Sequence, residues 1–376
     1  MGKKKEYQKV KEIIDENPQA KTQVKKSLHW HTTFGDVSIN EQTFIINGKL
    51  VRPFCESAHI ACRGYSLLLE RRITDFGSDF SFGKSAKKIK EHYGLDIPES
   101  SIRIITQKHG NHLLGAENQS SNDDNTPGVE QIIVQTDGCM IPKIEFIPNG
   151  EESDLRKTRK VGWKEVRLSL GYIPGMNKPI YEATSGTTEE TGRQLLSCAS
   201  QVGYGKNSKI HGVGDGAKWI ADQIETQFGS NGTYLIDFYH LCEYLHAAAK
   251  SCSEAPEDWY KKVKQLMYDG KHKKVLEKLE PSIEPSNIED EQAPVRKCYR
   301  YIKNRPKQFN YPQAIKKGLP IGSGKIESGN KSVLQSRMKI TGAWWKVENI
   351  DKMLVLLTCK QNEKWDNYWG QIPKAA

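Results

Sequence analysis

The chain has 376 residues and a formal net charge of +10. This length allows two or three domains, and the positive balance favours a polyanion such as nucleic acid as partner. No run of eighteen or more apolar residues occurs, and the Lys-rich start lacks a signal-peptide core, so we expect a soluble cytoplasmic protein without a membrane partner. Eight scattered cysteines without a CxxC pair indicate reduced thiols.

The first segment, residues 1–75, is predicted to hold a polar N-terminal tail and a small β-hairpin region. Asn47-Gly48 is the dipeptide that type I′ hairpins prefer, because both positions need a positive φ. A helical spacing of i, i+4, i+7 relates Cys55, His59 and Cys62. That pattern is compatible with a zinc site or with a buried helix face. A tetrahedral site needs a fourth ligand, so we favour the buried face and do not expect zinc.

Residues 76–117 are predicted to form a helix-turn-helix DNA-binding region. Apolar residues at helical spacing precede Gly94, which can end a helix in the left-handed conformation, and Pro98 suits the first turn of the next helix. A second helix from about Glu99 would present polar side chains to a DNA groove. The residues predicted to contact DNA there are Ser100, Ser101, Arg103 and Gln107. A plain helical hairpin without DNA contact is the alternative.

A polar segment punctuated by glycine and proline, 118–128, is predicted to be a linker. The following region, 129–245, has the pattern β-β-β-α-β-α-β, which predicts a mixed sheet with helices packed on it. Asp137-Gly138 and Asp215-Gly216 each come where a predicted strand runs into Asp-Gly. Active sites of α/β proteins gather at strand ends, although Asp-Gly is also a common turn.

Residues 246–310 are highly charged and predict a helical insertion, after which 311–376 would complete the core with a glutamate-bearing helix and a C-terminal helix. Glu327 is the single acidic residue between Val295 and Lys346, a window with thirteen Lys and Arg residues. Basic residues suit a polyanion, and a lone carboxylate suits a metal ion beside it. The nearby GSGK does not complete a nucleotide-binding loop, so no nucleotide cofactor is expected.

Asp137, Asp215 and Glu327 together suggest metal chemistry. Three converging carboxylates can bind two divalent ions about 3.5–4 Å apart, one activating the attacking oxygen and one stabilising the leaving oxygen at phosphorus. Mg²⁺ prefers such hard oxygen ligands. We therefore expect two Mg²⁺ ions, for which Mn²⁺ can substitute.

Four sequence blocks carry a resemblance to a known family: QTDGCMIP around Asp137, HGVGDGAKWI around Asp215, IDFYHLCEYL around Asp237, and IGSGKIESGNKSVLQSRMKITGAWW around Glu327. They resemble the motifs of bacterial insertion-sequence transposases of the DDE class, most closely the Kra-type branch. The resemblance implies an α/β, ribonuclease H-like catalytic domain with a helical insertion, preceded by the helix-turn-helix region. It implies that Asp137, Asp215 and Glu327 are the catalytic metal ligands. Asp237 and His240 match a supporting D-x-x-H motif.

Further residues acquire expected roles on this interpretation. The glycine-rich turn before Glu327 leaves backbone N–H groups suited to a DNA phosphate, and basic residues follow it. We predict DNA contacts at Ser323, Gly324, Lys325, Lys331, Arg337 and Lys339. Ile326, Val333 and Ile340 would pack on the sheet and orient Glu327. His211 is a further supporting candidate, although a histidine at a strand end is often only hydrogen-bonded in place.

The function expected from the resemblance is a transposase acting on double-stranded DNA at element ends and target. It would cleave a strand at each terminal inverted repeat and join the freed 3′-hydroxyl to target DNA, as a homodimer associated with the bacterial nucleoid. A ribonuclease H-like nuclease without strand transfer, or an inactive DNA-binding regulator, would share the same features. The chain lacks the tight cysteine pairs that often precede the helix-turn-helix in this branch.

Overall fold

The computed structural model describes residues 2–57, 64–117, 126–147, 154–176 and 178–372. The chain divides into two compact units. The terminal unit comprises Met1–Gln119 and Ser336–Ala376, and the central unit comprises Ser120–Gln335. The fold is mixed α/β, as the sequence predicts. Among the described helices, none combines the length and apolar character needed to cross a bilayer.

Helices run through the whole described chain, whereas most strands fall in two groups, one near the N-terminus and one in the middle. The helices are α1 (Gly2–Glu16), α2 (Pro53–Ser57), α3 (Leu67–Asp79), α4 (Phe82–Tyr93), α5 (Glu99–Glu117), α6 (Thr188–Gln201), α7 (Lys218–Phe228), α8 (Phe238–Cys252), α9 (Pro256–Tyr268), α10 (His272–Leu279), α11 (Pro294–Lys303), α12 (Tyr311–Lys316), α13 (Gly324–Gly329), α14 (Ser336–Met338), α15 (Ile350–Gln361) and α16 (Trp365–Gln371). The strands are β1 (Lys21–Thr22), β2 (Lys26–Thr32), β3 (Gly35–Glu41), β4 (Phe44–Ile46), β5 (Lys49–Val51), β6 (Gln131–Phe146), β7 (Arg159–Tyr172), β8 (Ile180–Thr184), β9 (Lys209–Gly214), β10 (Gly232–Ile236) and β11 (Trp345–Lys346).

The predicted Asn47-Gly48 hairpin is confirmed. Strands β4 and β5 pair antiparallel with Ile46 opposite Lys49. Asn47 and Gly48 have φ values of 49° and 75°, as the tight turn requires. The zinc prediction at Cys55, His59 and Cys62 lies outside the described residues, because residues 58–63 are not described. The same holds for 118–125 of the predicted linker.

The N-terminal helices form a small core in the terminal unit. Helices α3, α4 and α5 enclose Leu69, Ile73, Ile89, Ile102 and Ile105, all fully buried. Helix α4 ends at Gly94 with φ of 66°, as predicted. Two successive helices therefore occupy the region predicted as a helix-turn-helix, and α3 packs with them as a third.

The C-terminal helix belongs to a different unit from the one predicted. Residues 336–376 group with the N-terminal helices, whereas the sequence placed 311–376 in the catalytic core. Helix α15 packs on α5 and α3, and a side chain at Gly110 would lie 2.2 Å from the Lys352 carbonyl oxygen. The run MLVLLTC is buried throughout, because α15 is apolar around most of its circumference and needs neighbours on several sides.

Five paired strands organise the central unit as a sheet. Its strand order is β10-β9-β6-β7-β8, in which β10, β9 and β6 are parallel and β7 is antiparallel to both neighbours. The pairing of β6 with β9 stops at Val134 opposite Gly212. The pairing of β6 with β7 continues to Phe146 opposite Arg159. Beyond Val134, β6 is therefore no longer paired with β9. The residues that follow β9 can approach the side chains of β6 there.

Two helical layers complete the central unit. Helices α6 and α7 cover the sheet through a core that includes Ile132, Leu195, Ile210, Ile220 and Ile224. Helices α8 to α12 form a separate core whose members include Leu241, Val263, Leu279 and Ile302. The predicted insertion at 246–310 is thus helical, and its first helix begins earlier, at Phe238.

Candidate functional site

Asp137 lies inside strand β6 and not at its end, which differs from the prediction. It stands opposite Leu168 of β7, three residues beyond the last pairing with β9. Its Oδ1 accepts a hydrogen bond from the Gly138 N–H at 2.8 Å, and its Oδ2 accepts one from the Asn330 amide at 2.8 Å. Burial raises the pKa of Asp137, and the charges of Asp215 and Glu327 raise it further against these two hydrogen bonds.

Asp215 follows β9 directly, as predicted, in a turn that the helical insertion supports. Its Oδ1 accepts a hydrogen bond from the Ala217 N–H at 2.8 Å. The Tyr301 hydroxyl of α11 donates to the Asp215 carbonyl at 2.5 Å, and the Arg305 guanidinium donates to the Gly216 carbonyl at 2.8 Å. Gly216 has φ of 88°, and a side chain there would lie 2.5 Å from the Tyr301 hydroxyl. The insertion therefore fixes the backbone that carries Asp215.

The loop before Glu327 is anchored to the sheet at several points. The Phe238 N–H donates to the Ile321 carbonyl at 2.8 Å. Gln135 of β6 donates to the Gly322 carbonyl at 3.3 Å and accepts from the Ile326 N–H at 3.0 Å. These bonds bring α13, which carries Glu327, onto the strand that carries Asp137.

Close packing of α13 on the sheet depends on a glycine. A side chain at Gly329 would lie 2.8 Å from the Tyr181 ring of β8 and 3.1 Å from Leu168 of β7. Ile326 and Val333 are buried, as the predicted packing stripe requires, whereas Ile340 is only half-buried and belongs to the terminal unit. Glu327 itself is exposed, so α13 packs by one side and presents its carboxylate to solvent.

Asp237 is a buried anchor beside Glu327. It is 1% exposed, and its Oδ1 caps α8 by accepting from the Tyr239 and His240 N–H groups at 2.6 and 3.1 Å. Its Oδ2 accepts from the Ser323 N–H at 2.6 Å and also from the Ser323 hydroxyl. That hydroxyl oxygen lies 3.4 Å from Glu327 Oε1. Asp237 thus holds the residue that touches Glu327.

The two histidines named as supporting residues occupy different surroundings. His211 is buried, and its Nε2 lies 2.9 Å from the Pro320 carbonyl. Burial lowers the pKa of His211, so it acts as a neutral donor to the loop before Glu327. His240 lies 3.5 Å from a Glu243 oxygen and packs edge-on against Tyr244 and Tyr301. These contacts connect His240 with the insertion and not with the three carboxylates.

Predicted DNA contacts fall into exposed and buried groups. Exposed positions are Ser100, Arg103, Gly324, Lys331 and Lys339, while Gln107 and Lys325 are half-buried. Ser101 is 2% exposed, because it lies on the side of α5 that packs in the helical core. It is therefore not available as a groove contact.

Arg337 also differs from its predicted role. It is 2% exposed, its Nε donates to the Gly77 carbonyl at 3.1 Å, and its guanidinium lies 4.9 Å from the ring centroids of both Phe82 and Trp345. Burial lowers the pKa of Arg337 to about 10, which still leaves it charged at neutral pH. A planar guanidinium between aromatic rings is stabilised by cation–π contact. This arginine holds the terminal unit together and is not a surface phosphate contact.

Ser323 is the third buried position among the predicted DNA contacts. It is 7% exposed, and both its N–H and its hydroxyl donate to Asp237. The Ile326 N–H is likewise occupied by Gln135. Of the backbone donors predicted for a DNA phosphate, the Ser323 N–H is therefore used inside the protein.

The carboxylates fit a divalent cation by their chemistry. Among the residues that the structure describes, no group of three or more His, Cys, Asp or Glu side chains is arranged so that it could hold a metal ion. The charges of Asp215 and Glu327 raise the pKa of Asp137, and Asn330, one turn after Glu327, donates to Asp137. Hard oxygen donors bearing like charges are suited to Mg²⁺ or Mn²⁺. Asp137, Asp215 and Glu327 are the residues that would hold such an ion.

Several residues of the site were not predicted from the sequence. Gln135 precedes Asp137 by two positions and so shares its strand face, and Asn330 follows Glu327 by three positions and so shares its helix side. These spacings are signals that could have found them. Tyr301 and Arg305 carry no local signal, because only the packing of the insertion brings them to Asp215.

Comparisons with known proteins give limited similarity. A family model described as "Uncharacterised protein family (UPF0236)" matches residues 200–366. This span includes Asp215 and Glu327 but not Asp137. No curated protein matches the chain. A solved structure described as "Crystal structure of NurA with manganese" shares 13% identity over 74% of this chain and 67% of that chain, with a TM-score of 0.11. That score is too low to bear on the fold or the activity.

Proposed function

We propose that this protein is a DNA transposase of the DDE class that cleaves DNA strands and transfers them with the help of two Mg²⁺ ions. The observation that carries the proposal is that the helix of Glu327 is hydrogen-bonded to the strand of Asp137, through Ile326 to Gln135 and through Asn330 to Asp137. The charges of Asp215 and Glu327 also raise the pKa of Asp137. Like charges are brought together at a cost, which a bound cation can offset. The mixed sheet of the central unit supports the ribonuclease H-like interpretation.

The reaction consists of two displacements at phosphorus. Water attacks a phosphodiester at the element end, the P–O3′ bond breaks, and a 3′-hydroxyl is freed. That hydroxyl then attacks a target phosphodiester, so one P–O bond forms while another breaks and no external energy source is needed. When bound, the metal ions supply charge neutralisation for the attacking and leaving oxygens.

The residues of the chain prepare the site for this chemistry. Asp137, Asp215 and Glu327 would hold the ions, and the Asp237–Ser323 pair orients the start of the Glu327 helix. Lys331 and Lys339 are exposed, and we propose that each binds DNA phosphate and that α4 with α5 binds the element end. Because two ends must be joined to one target, we propose a homodimer.

The test uses the purified full chain and a plasmid carrying the DNA that flanks its coding sequence, with Mg²⁺ or Mn²⁺. We expect metal-dependent nicking at defined positions and joining of the cut ends to a second DNA. Glu327→Gln should reduce both rates by about 10³-fold or more, equivalent to about 4 kcal/mol.

Glu225→Gln is a matched control, since Glu225 is an exposed glutamate on α7 of the same unit. It should cleave at the wild-type rate. The proposal fails if the wild-type protein neither nicks nor joins DNA with either metal, or if Glu327→Gln is as active as the wild type. Cleavage without joining would instead identify a nuclease.

A further inference from the structure

Asn330 contacts the candidate site directly, although the proposed reaction gives it no role. It comes one turn after Glu327 and begins a π-helical segment, Asn330–Gln335. Its side-chain amide donates to Asp137 Oδ2 at 2.8 Å, and the residue is 3% exposed. A π-helical turn is a rare irregularity that occurs most often at functional sites.

The other end of the same amide is unsatisfied. Asn330 Oδ1 is buried and has no hydrogen-bond partner within the part of the chain that the structure describes. Exchanging the amide nitrogen and oxygen would set the oxygen against the Asp137 carboxylate, so the observed orientation is the favourable one. A buried acceptor without a donor costs free energy, and an apolar side chain of similar size would avoid that cost.

We propose that Asn330 is a positioning residue that fixes the Asp137 carboxylate for metal binding, at the expense of a buried unsatisfied oxygen. The inference rests on the proposed function and extends it. Gly138 holds Asp137 Oδ1 and Asn330 holds Oδ2, so the carboxylate cannot rotate freely while each oxygen keeps acceptor capacity. Asn330 also couples the Glu327 helix to β6, so two of the three carboxylates are positioned by one contact.

An apolar replacement distinguishes two roles for Asn330. If Asn330 is structural, the replacement should lower the melting temperature, and if it positions Asp137, the replacement should lower the affinity for Mn²⁺. Asn330→Leu removes the donor to Asp137 together with the unsatisfied oxygen. We expect the affinity for Mn²⁺, measured by calorimetry without DNA, to fall about tenfold, as is typical when a partner behind a metal ligand is removed. We expect the melting temperature of the metal-free protein to stay near the wild-type value, because water can replace the lost donor at the half-buried Asp137 carboxylate.

Two further variants complete the experiment. Ser332→Ala changes an exposed residue of the same π-helical segment and should leave both measurements unchanged. Asn330→Ala covers the case in which leucine does not fit, and it should show the same loss of Mn²⁺ affinity.

The outcomes separate this inference from the proposed function. It is overturned if a folded Asn330 variant binds Mn²⁺ within twofold of the wild type, or if neither variant folds, since Asn330 would then be structural. If the wild-type protein binds no Mn²⁺ and cleaves no DNA, the proposed function itself fails. Wild-type cleavage with unchanged affinity in the variants overturns the Asn330 inference alone.

Discussion

The Glu70 network of the terminal unit and the candidate site of the central unit arrange their charged side chains in opposite ways. In the terminal unit, buried Glu70 accepts hydrogen bonds from Lys108 at 2.7 Å and from His109 at 2.8 Å. The second ring nitrogen of His109 lies 2.8 Å from the Tyr368 hydroxyl. Burial lowers the pKa of His109, so the ring is neutral and the Lys108 ammonium balances Glu70. In this network a buried carboxylate oxygen, Glu70 Oε2, accepts from a cation and from a neutral ring.

In the candidate site of the central unit, the charges that act on the Asp137 carboxylate are those of two other carboxylates, Asp215 and Glu327. Asp137, Asp215 and Glu327 form no ion pair with a Lys or Arg side chain among the residues that the structure describes. Their hydrogen bonds come from backbone N–H groups, an amide and a hydroxyl. Removing one partner from the first arrangement lowers stability, whereas in the second arrangement the like charges themselves lower it. Unpaired like charges are therefore the better indicator of a site kept for a ligand.

Breaking the network of the terminal unit should have the largest effect on stability. Glu70→Ala leaves Lys108 and His109 without their shared acceptor in the core. We expect a loss of about 3 kcal/mol in the free energy of unfolding, as is usual when one partner of a buried pair is removed. Urea denaturation would measure it. Glu91→Ala, an exposed change on α4, should cost little, and equal losses in both variants would contradict the comparison.

Removing a charge from the candidate site should increase the free energy of unfolding of the metal-free protein. Burial and the charges of Asp215 and Glu327 raise the pKa of Asp137 above its unfolded value, so the folded state holds this proton more tightly than the unfolded chain. The contribution of Asp137 to stability therefore falls as pH rises from about 3.9, the unfolded value, through the native pKa.

Asp215→Asn removes one of those charges and keeps an acceptor for the Ala217 N–H. We expect the metal-free variant to gain about 0.5 kcal/mol at neutral pH and to lose activity. Melting temperatures measured between pH 4 and 8 should show a shallower decline for the variant than for the wild type. A variant that is less stable at every pH would show that Asp215 is structural.

The smallest effect concerns charges outside both networks. Lys331 is exposed and Arg337 is buried between aromatic rings. Lys331→Ala should lower the slope of log affinity against log salt for DNA binding by about 1. Arg337→Lys should leave that slope unchanged and lower the melting temperature. Fluorescence anisotropy at several salt concentrations would measure both slopes. A changed slope for Arg337→Lys and an unchanged slope for Lys331→Ala would show that Arg337 contacts DNA.

The sequence by itself determined features that depend on neighbouring residues. The Asn47-Gly48 turn and the end of α4 at Gly94 follow from backbone conformations that few residues adopt. The isolation of Glu327 in a basic window is visible in the chain alone. Such local preferences act whatever the rest of the molecule does.

Only the tertiary structure decided which side chains meet. Asp137 lies within β6 because the pairing with β7 continues after β9 has ended, and a strand's length is set by its partners. The basic residues around Glu327 separate into buried Arg337 and exposed Lys331, because helix packing and not charge decides exposure. The contact between Asn330 and Asp137 depends on strand pairing and on helix packing, since it requires α13 to pack on the part of β6 that extends beyond β9.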